Sequence, residues 1–425
     1  MTFIKPRLFK NFAFYTVFAF LNKGMAFLLT PFFTRYLTPE EYGIYALFFA
    51  ATLICEPFLS LGVDCATWNV YFNPSEYPIR EYVSTFLFFC AGMFTAQVVF
   101  LGSLWLFLSN IFNFSAWMLL VPLVALSNLI QGILLGMWIV KETPVPYGRF
   151  SFCYLLAQLL LQVTATVFFK LGWRGVLGAQ GVLAAVIIPV TLVLLRKNKW
   201  LGFCFNKNCL RFGLKFGLGF MPNMLFARLN DLIGRLFVSR MFSLAETGIY
   251  SAGQKLGGIM NIYNQSFVNT YQPWLLKKLS GNVRRDKRKI ILSVAVALAS
   301  MAVFALGGSS LMYLFSGFIL GENFQRSAIF VFWSASAYAL NGMYNVVSLF
   351  IYQTGKSWIQ SLLTMTAVGL NSLFTWYFLG VYGLIGAAYA PVLAWTAALA
   401  LAVVVVIKLM KKGQWERREQ PLDFW

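Results

Sequence analysis

The chain has no histidine and very few acidic residues. Charged residues make up 11% of its 425 residues and hydrophobic residues 59%, whereas a soluble domain has about 25% charged and roughly 45–50% apolar residues. So few charges cannot cover a water-exposed surface, so most of the surface must face lipid. With no histidine and no Cys-x-x-Cys pair among the six cysteines, a metal site is not expected.

Catalytic motifs are also absent. The sequence contains no Walker loop, no G-x-S-x-G motif and no carboxylate pair at a useful spacing. We therefore do not predict an enzyme. Transport by such a chain would have to use an ion gradient, an electrical gradient or the gradient of the substrate itself, so no cofactor other than a coupling H⁺ or Na⁺ is expected.

Apolar runs occupy most of the chain. A membrane-spanning helix needs about 20 apolar residues, and we predict twelve such spans: 12–34, 43–65, 81–108, 115–138, 147–169, 175–195, 212–238, 247–274, 289–315, 327–352, 358–378 and 384–407. The segments between them are too short for a separate soluble domain. The pattern predicts an all-α integral membrane protein.

Basic residues lie mostly on one side of these spans. Five fall in the predicted outer segments: Arg35, Lys170, Arg174, Arg240 and Arg326. Five more lie within or at the ends of spans: Lys23, Lys215, Arg228, Arg235 and Lys255. Because cytoplasmic loops carry the excess of Lys and Arg, this distribution predicts that both termini are cytoplasmic. The net charge of +20 then marks topology and contact with anionic membrane lipid, and no nucleic acid partner is expected.

Two segments of the sequence occur twice. Residues 171–179 (LGWRGVLGA) match residues 379–387 (LGVYGLIGA). Residues 34–45 match residues 239–250, and this alignment pairs Gly43 with Gly248. Nearly equal offsets indicate a duplicated unit. We predict two bundles of six helices, residues 1–200 and 201–425, related by a parallel pseudo-two-fold repeat around a central cavity.

Several charges lie at membrane depth, where each costs at least about 2.5–3.5 kcal/mol. The duplication aligns Lys23 with Arg228, at equivalent depths in the two halves of the sequence. The candidate substrate-binding cations are Lys23, Arg228, Arg235 and Lys255, and the candidate ion-coupling carboxylates are Glu56 and Asp231. Cations outnumber anions, which predicts a wet cavity or an anionic ligand.

Structural explanations compete with each of these roles. Arg228 could pair with Asp231 on its own helix, and Lys23 could pair with Glu56 across two helices. Asp64 and Lys215 lie close enough to an interface for their charges to reach water. Amides within spans, such as Asn128 and Asn371, commonly bond neighbouring helices, and Gly132 and Gly136 form a G-x-x-x-G pattern typical of close helix packing.

Residues 35–45 (RYLTPEEYGIY) and residues 61–64 (LGVD) resemble conserved stretches of Wzx-type polysaccharide repeat-unit flippases. These transporters belong to the multidrug/oligosaccharidyl-lipid/polysaccharide exporter superfamily, abbreviated MOP. The resemblance implies a V-shaped pair of six-helix bundles in the bacterial cytoplasmic (inner) membrane. It further implies an undecaprenyl-pyrophosphate-linked oligosaccharide substrate whose pyrophosphate meets Lys23 and Arg228.

Two functions follow as hypotheses. The first is a flippase that moves a lipid-linked repeat unit of O-antigen, capsule or exopolysaccharide to the outer leaflet, with a polysaccharide polymerase and glycosyltransferases as partners. The second is a cation-coupled exporter of small amphipathic molecules, with Glu56 or Asp231 as its coupling site. A membrane-embedded glycosyltransferase or polymerase would need a long outer loop, and the predicted outer segments are short.

Overall fold

A computed structural model describes residues 29–72, 77–112, 116–141, 143–279, 283–353 and 357–411. Within these ranges the chain is helical and has no strand, which confirms the predicted all-α class. The helices in chain order are α1 (Pro39–Ser60), α2 (Thr67–Phe72), α3 (Ile79–Phe112), α4 (Val121–Val140), α5 (Pro144–Val163), α6 (Gly172–Lys197), α7 (Lys207–Met241), α8 (Leu244–Gly257), α9 (Ile259–Leu279), α10 (Val283–Ile319), α11 (Ala328–Gln353), α12 (Ser357–Tyr382) and α13 (Gly386–Lys411).

Seven segments of the described residues are long and apolar enough to cross a membrane: Pro39–Ser60, Ile79–Leu106, Trp117–Val140, Pro144–Phe168, Gly172–Lys197, Arg288–Ile319 and Trp358–Leu409. The last of these contains both α12 and α13. Every predicted span from 43–65 onward contains a helix, while most of span 12–34 lies outside the described residues. The total of twelve spans stays a prediction.

The predicted span 247–274 is not one continuous helix, contrary to the sequence prediction. It divides into α8 and α9, and Gly258 lies between them. Two glycines in succession, Gly257 and Gly258, weaken the helix because glycine has a low helix propensity. A side chain at Gly257 would also contact the Val331 carbonyl oxygen of α11, so this position favours glycine for packing as well.

The predicted span 43–65 ends earlier than expected, at Ser60. Leu61 and Gly62 both have positive φ, 46° and 74°, which terminates α1 before a short 3₁₀ turn. Gly62 also lies against the backbone of Gly217, where a Cβ would overlap the Gly217 carbonyl oxygen. Only glycine satisfies both the backbone angle and the close approach.

The described residues form two compact units. The first consists of Leu47–Arg228, and its core is formed by α2, α3, α4, α6 and the start of α7. Fully buried side chains such as Tyr82, Phe86, Leu134 and Met137 pack there. The Tyr82 hydroxyl donates a hydrogen bond of 2.7 Å to the Val63 carbonyl oxygen, so the one polar atom of this large side chain is satisfied inside the core.

The second unit consists of Leu229–Phe424, as far as it is described, together with Thr30–Ala46. One core cluster packs α9, α11, α12 and α13 around residues such as Tyr344 and Trp395. The unit boundary therefore falls within α1 and within α7, and residues 201–228 belong to the first unit. The division of the sequence at residues 200 and 201 rests on the duplication and stays a prediction.

The Thr30–Ala46 segment contacts the rest of the second unit through glycines. A Cβ at Gly43 would overlap the Leu244 carbonyl oxygen, and a Cβ at Gly248 would overlap the Pro39 carbonyl oxygen. The backbones of α1 and α8 are therefore in direct contact. Arg35 also donates a hydrogen bond of 2.8 Å to the Phe318 carbonyl oxygen at the end of α10.

Large apolar side chains are exposed along several helices. They include Val99, Phe100 and Leu106 on α3, Val303, Leu314 and Phe318 on α10, and Leu373 and Trp376 on α12. Exposed apolar surface on this scale would promote aggregation in water. Lipid contact along these helices accounts for it.

Candidate functional site

Three helices of the first unit bring polar side chains together around Glu56. Glu56 lies in α1 immediately before Pro57, Asn128 lies in α4, and Arg228 lies in α7. The Asn128 side-chain amide donates a hydrogen bond of 2.9 Å to Glu56 Oε1. Arg228 Nη2 lies 3.7 Å from Glu56 Oε2. One carboxylate thus contacts a neutral donor and a cation from two other helices.

This cluster opens onto a cavity of about 390 Å³, here called the Glu56 cavity. Its wall includes Glu56, Ser60, Asp64, Asn128, Tyr147, Met224 and Arg228, together with apolar residues of α2 and α4. The volume lies within the range of about 300–1,000 Å³ that small-molecule sites occupy. A cavity with both charge signs and an apolar wall can accept a polar headgroup or an ion.

The Arg228 guanidinium is more exposed than the carboxylate it contacts. The Arg228 side chain is 40% exposed and that of Glu56 is 17% exposed. A separation of 3.7 Å is longer than a hydrogen bond, and a guanidinium has five N–H donors in total. Arg228 therefore keeps donors that can bind a second anion while it remains close to Glu56.

Asp64 is a second carboxylate of the Glu56 cavity. Its Oδ1 atom is buried and has no hydrogen-bond partner among the described residues. Asp64 lies in the 3₁₀ turn after α1, where it forms part of the cavity wall, and its predicted contact with water at an interface stays a prediction. This role was missed because the positive φ values of Leu61 and Gly62 end the helix at Ser60, and the apolar pattern does not encode that turn.

The glycines of α4 have a different role from the one predicted. Gly132 and Gly136 follow Asn128 at intervals of four and line the Glu56 cavity. Among the described residues, a Cβ at Gly132 would meet nothing within 4 Å, and one at Gly136 would approach only Trp68, with Nε1 at 3.1 Å. The G-x-x-x-G pattern therefore leaves space beside Asn128 instead of allowing two helix backbones to pack closely.

Arg235 belongs to the second unit and has neutral partners there. Its Nε donates a hydrogen bond of 3.1 Å to Gln254 Oε1, and its Nη1 donates one of 3.3 Å to the Ala46 carbonyl oxygen. Lys255, the next residue on α8, is partly buried in the last turn of that helix. The structure thus places the candidate cations Arg235 and Lys255 in one unit and Arg228 in the other.

Two candidate site residues are not among those that the structure describes in full. Lys23 lies outside the described residues, and so does the side chain of Asp231 in α7. The predicted pairing of Arg228 with Asp231 and the bridge between Lys23 and Glu56 therefore stay predictions. The structure does show that Glu56 has Arg228 as a partner, a pair that the sequence analysis did not propose.

Buried amides of the second unit bond neighbouring helices, as predicted. Asn371 of α12 donates a hydrogen bond of 2.9 Å to Asn230 Oδ1 of α7, and Thr375 donates one of 3.3 Å to Asn371 Oδ1. Asn264 of α9 donates to the Tyr338 carbonyl oxygen of α11. The Asn371–Asn230 and Asn264–Tyr338 bonds join helices of one unit, which is their structural role, while the Thr375–Asn371 bond lies within α12.

Comparison with known proteins identifies the family. Residues 8–278 match the family model described as "Polysaccharide biosynthesis protein". A protein of Haemophilus influenzae described as an uncharacterized membrane protein is 23% identical over 380 residues, covering 85% of this chain and 89% of the relative.

Solved structures with the same fold are membrane transporters. An inward-facing multidrug resistance MATE family transporter of the MOP superfamily matches with a TM-score of 0.65 and 13% identity, covering 92% of this chain and 96% of its own. The lipid II flippase MurJ, in an inward closed conformation, matches with a TM-score of 0.68 and 13% identity, covering 93% and 87%. Since the family model spans more than half of the chain, the protein belongs to the polysaccharide biosynthesis protein family and has the all-α fold of MOP superfamily transporters.

Proposed function

We propose that the protein flips an undecaprenyl-pyrophosphate-linked oligosaccharide from the cytoplasmic to the outer leaflet of the bacterial inner membrane. The substrate is a repeat unit of O-antigen, capsule or exopolysaccharide, delivered by glycosyltransferases and passed to a polymerase. Both termini are cytoplasmic in this proposal. The family supports a role in polysaccharide biosynthesis, and the fold supports a membrane transporter.

The observation that carries the proposal is the partly exposed Arg228 guanidinium in the Glu56 cavity. A pyrophosphate offers several acceptor oxygens, and planar guanidinium groups bind phosphate through paired N–H donors. At 3.7 Å from Glu56, Arg228 can exchange its carboxylate partner for a phosphate oxygen without leaving the cavity. Lys23, Arg235 and Lys255 are the further cations proposed to contact the headgroup.

Glu56 gives this exchange a coupling mechanism. Its carboxylate and a pyrophosphate compete for the same guanidinium, so uptake of H⁺ or Na⁺ by Glu56 releases Arg228 for the substrate. Asp231 is the second proposed coupling carboxylate. The membrane potential also acts on the substrate, because moving one charge across it changes the free energy by about 2.3 kcal/mol per 100 mV.

The test is complementation of a strain that lacks this gene, with surface polysaccharide and lipid-linked precursors measured together. We expect Arg228→Ala to abolish surface polysaccharide and to leave lipid-linked units in the inner leaflet, while Arg228→Lys retains part of the activity because the charge remains. Arg149 is an exposed cation of α5, and Arg149→Gln is the control. This variant should display normal amounts of surface polysaccharide. Normal display by Arg228→Ala at equal membrane abundance would refute the proposed role.

The exporter of small amphipathic molecules is the second candidate, and the carboxylates in the Glu56 cavity favour it. Glu56 and Asp64 both line that cavity, and carboxylates attract cationic amphiphiles. This function predicts that Asp64→Asn sensitises cells to cationic drugs and leaves surface polysaccharide intact. Loss of polysaccharide without any change in drug sensitivity would favour the flippase.

A further inference from the structure

A second cavity, of about 820 Å³, lies at the start of α7. It is lined by Tyr77, Asn208, Arg211, Phe212, Lys215 and Phe216. None of these residues lines the Glu56 cavity, so this is a separate site within the same unit. We call it the Arg211 cavity. The predicted topology places residues 196–211 on the cytoplasmic side.

The polar part of the wall is cationic. Asn208, Arg211 and Lys215 follow one another at intervals of three and four, which places them on one face of α7. The described lining residues include these two cations and no carboxylate. Within the described part of the chain neither cation forms an ion pair, so both charges are available to a ligand.

A nearby carboxylate is already occupied by another group. Glu81 Oε2 accepts a hydrogen bond of 2.9 Å from the Asn206 side-chain amide. The other end of the same amide caps α7, because Asn206 Oδ1 accepts a hydrogen bond of 2.9 Å from the backbone N–H of Asn208. Glu81 is not among the described lining residues of the Arg211 cavity, whose charged members are Arg211 and Lys215.

The apolar part of the wall is a row of aromatic rings. The Tyr77 and Phe212 rings stack with centroids 4.7 Å apart and an interplanar angle of 25°. Phe212 and Phe216 follow with centroids 6.3 Å apart and an angle of 29°. Such rings offer flat apolar surface beside the two cations, and the combination suits a ligand with an anionic group attached to a carbon-rich body.

We propose that the Arg211 cavity binds the phosphate-bearing headgroup of a membrane lipid. Arg211 and Lys215 contact the phosphate oxygens, as charge-assisted donors do, and the aromatic row contacts the adjoining sugar or glycerol. Two lipids carry this chemistry: the pyrophosphate-linked substrate and an anionic phospholipid. The inference rests on the proposed function only for the first of these sources.

The experiment measures lipid binding to the full-length protein in detergent by native mass spectrometry. The probes are undecaprenyl pyrophosphate and phosphatidylglycerol, with phosphatidylcholine as the lipid without net charge. The test variant is Arg211→Gln/Lys215→Gln, and the matched control is Arg149→Gln/Lys197→Gln, which removes the same charges from exposed positions elsewhere in the unit. Phe212→Leu tests the aromatic row without changing the charge.

We expect the test variant to bind the relevant phosphate lipid about tenfold more weakly or worse, as loss of charge-assisted hydrogen bonds implies, with phosphatidylcholine and the control unchanged. Loss confined to undecaprenyl pyrophosphate identifies the substrate as the source, and equal loss of both probes shows that the cavity binds anionic phosphate headgroups in general. Binding of both probes at the control level overturns the proposal. Because this experiment measures lipid binding and not transport, its result can be interpreted even if the flippase proposal fails.

Discussion

Gly43 and Gly248 pack against each other's helices in a reciprocal contact within the second unit. The carbonyl oxygen of Leu244, at the start of α8, fills the space beside Gly43, and the carbonyl oxygen of Pro39, at the start of α1, fills the space beside Gly248. The two glycines occupy equivalent positions of the duplicated sequence. The duplication therefore places matching residues on both sides of one contact.

A methyl group at either glycine should destabilise this contact. We expect Gly43→Ala and Gly248→Ala each to cost about 1–3 kcal/mol, because the neighbouring backbone must move to avoid overlap. The thermal midpoint of the purified protein in detergent measures the effect. Gly92→Ala in α3 is the control, since a Cβ at that position would meet nothing within 4 Å among the described residues. Equal midpoints for all three variants would contradict the close contact.

The caps of α1 and α8 should contribute unequally to stability. Thr38 and Glu41 form a reciprocal capping box. The backbone N–H of Thr38 donates a hydrogen bond of 3.0 Å to Glu41 Oε2, and the backbone N–H of Glu41 donates one of 3.2 Å to Thr38 Oγ1. Ser243 accepts one bond of 3.1 Å from the Glu246 N–H. We expect Ser243→Ala to cost about 1 kcal/mol. Thr38→Ala should cost more, because it removes one bond directly and weakens the reciprocal bond to the Glu41 side chain.

The same thermal assay measures these caps. Ser336→Ala is the matched control, since the Ser336 hydroxyl is exposed and bonds within its own helix, to the Phe332 carbonyl oxygen. If neither cap variant melts below this control, the capping interpretation is wrong.

Removing the charge of Glu56 should separate substrate binding from ion coupling. Glu56→Gln can still accept the Asn128 hydrogen bond but no longer attracts Arg228. We expect this variant to bind undecaprenyl pyrophosphate more tightly and to lose its response to an imposed H⁺ or Na⁺ gradient in proteoliposomes. Glu322→Gln, at an exposed position of the second unit, is the control. A full gradient response in Glu56→Gln would exclude coupling through this residue.

The predicted topology can be tested at described, exposed positions. In a background without native cysteines, we expect Lys170→Cys to react with a membrane-impermeant maleimide added outside intact cells. Lys289→Cys should react only after the cells are opened. Both positions are exposed, so accessibility within the protein does not limit either reaction. Labelling of Lys289→Cys in intact cells would show that the predicted orientation is wrong.

Much of the fold could be predicted because a lipid environment constrains composition strongly. Long apolar runs located the helices of the described residues, and the duplication aligned Gly43 with Gly248 from the sequence alone. The break at Gly258 and the turn at Gly62 were not predicted. Gly62 lies against Gly217, and Gly257, beside the break, lies against Val331; a hydropathy pattern carries no information about such approach distances.

The candidate site was predictable only in part. Charges at membrane depth pointed to Glu56 and Arg228 as separate candidates because such charges are costly in lipid. Their pairing depends on how α1 and α7 pack, and residues far apart in sequence give no signal of that. The Arg211 cavity was missed for a different reason, since its two cations lie near a membrane boundary where basic residues are common.

The reciprocal glycine contact has the symmetry of a dimer interface. In an isologous dimer the same surface of each protomer contacts its counterpart, so residue i contacts residue j of the partner and j contacts i. Gly43 and Gly248 satisfy this condition within a single polypeptide. The two copies of the motif therefore present a self-complementary surface to each other, as the two protomers of an isologous dimer do.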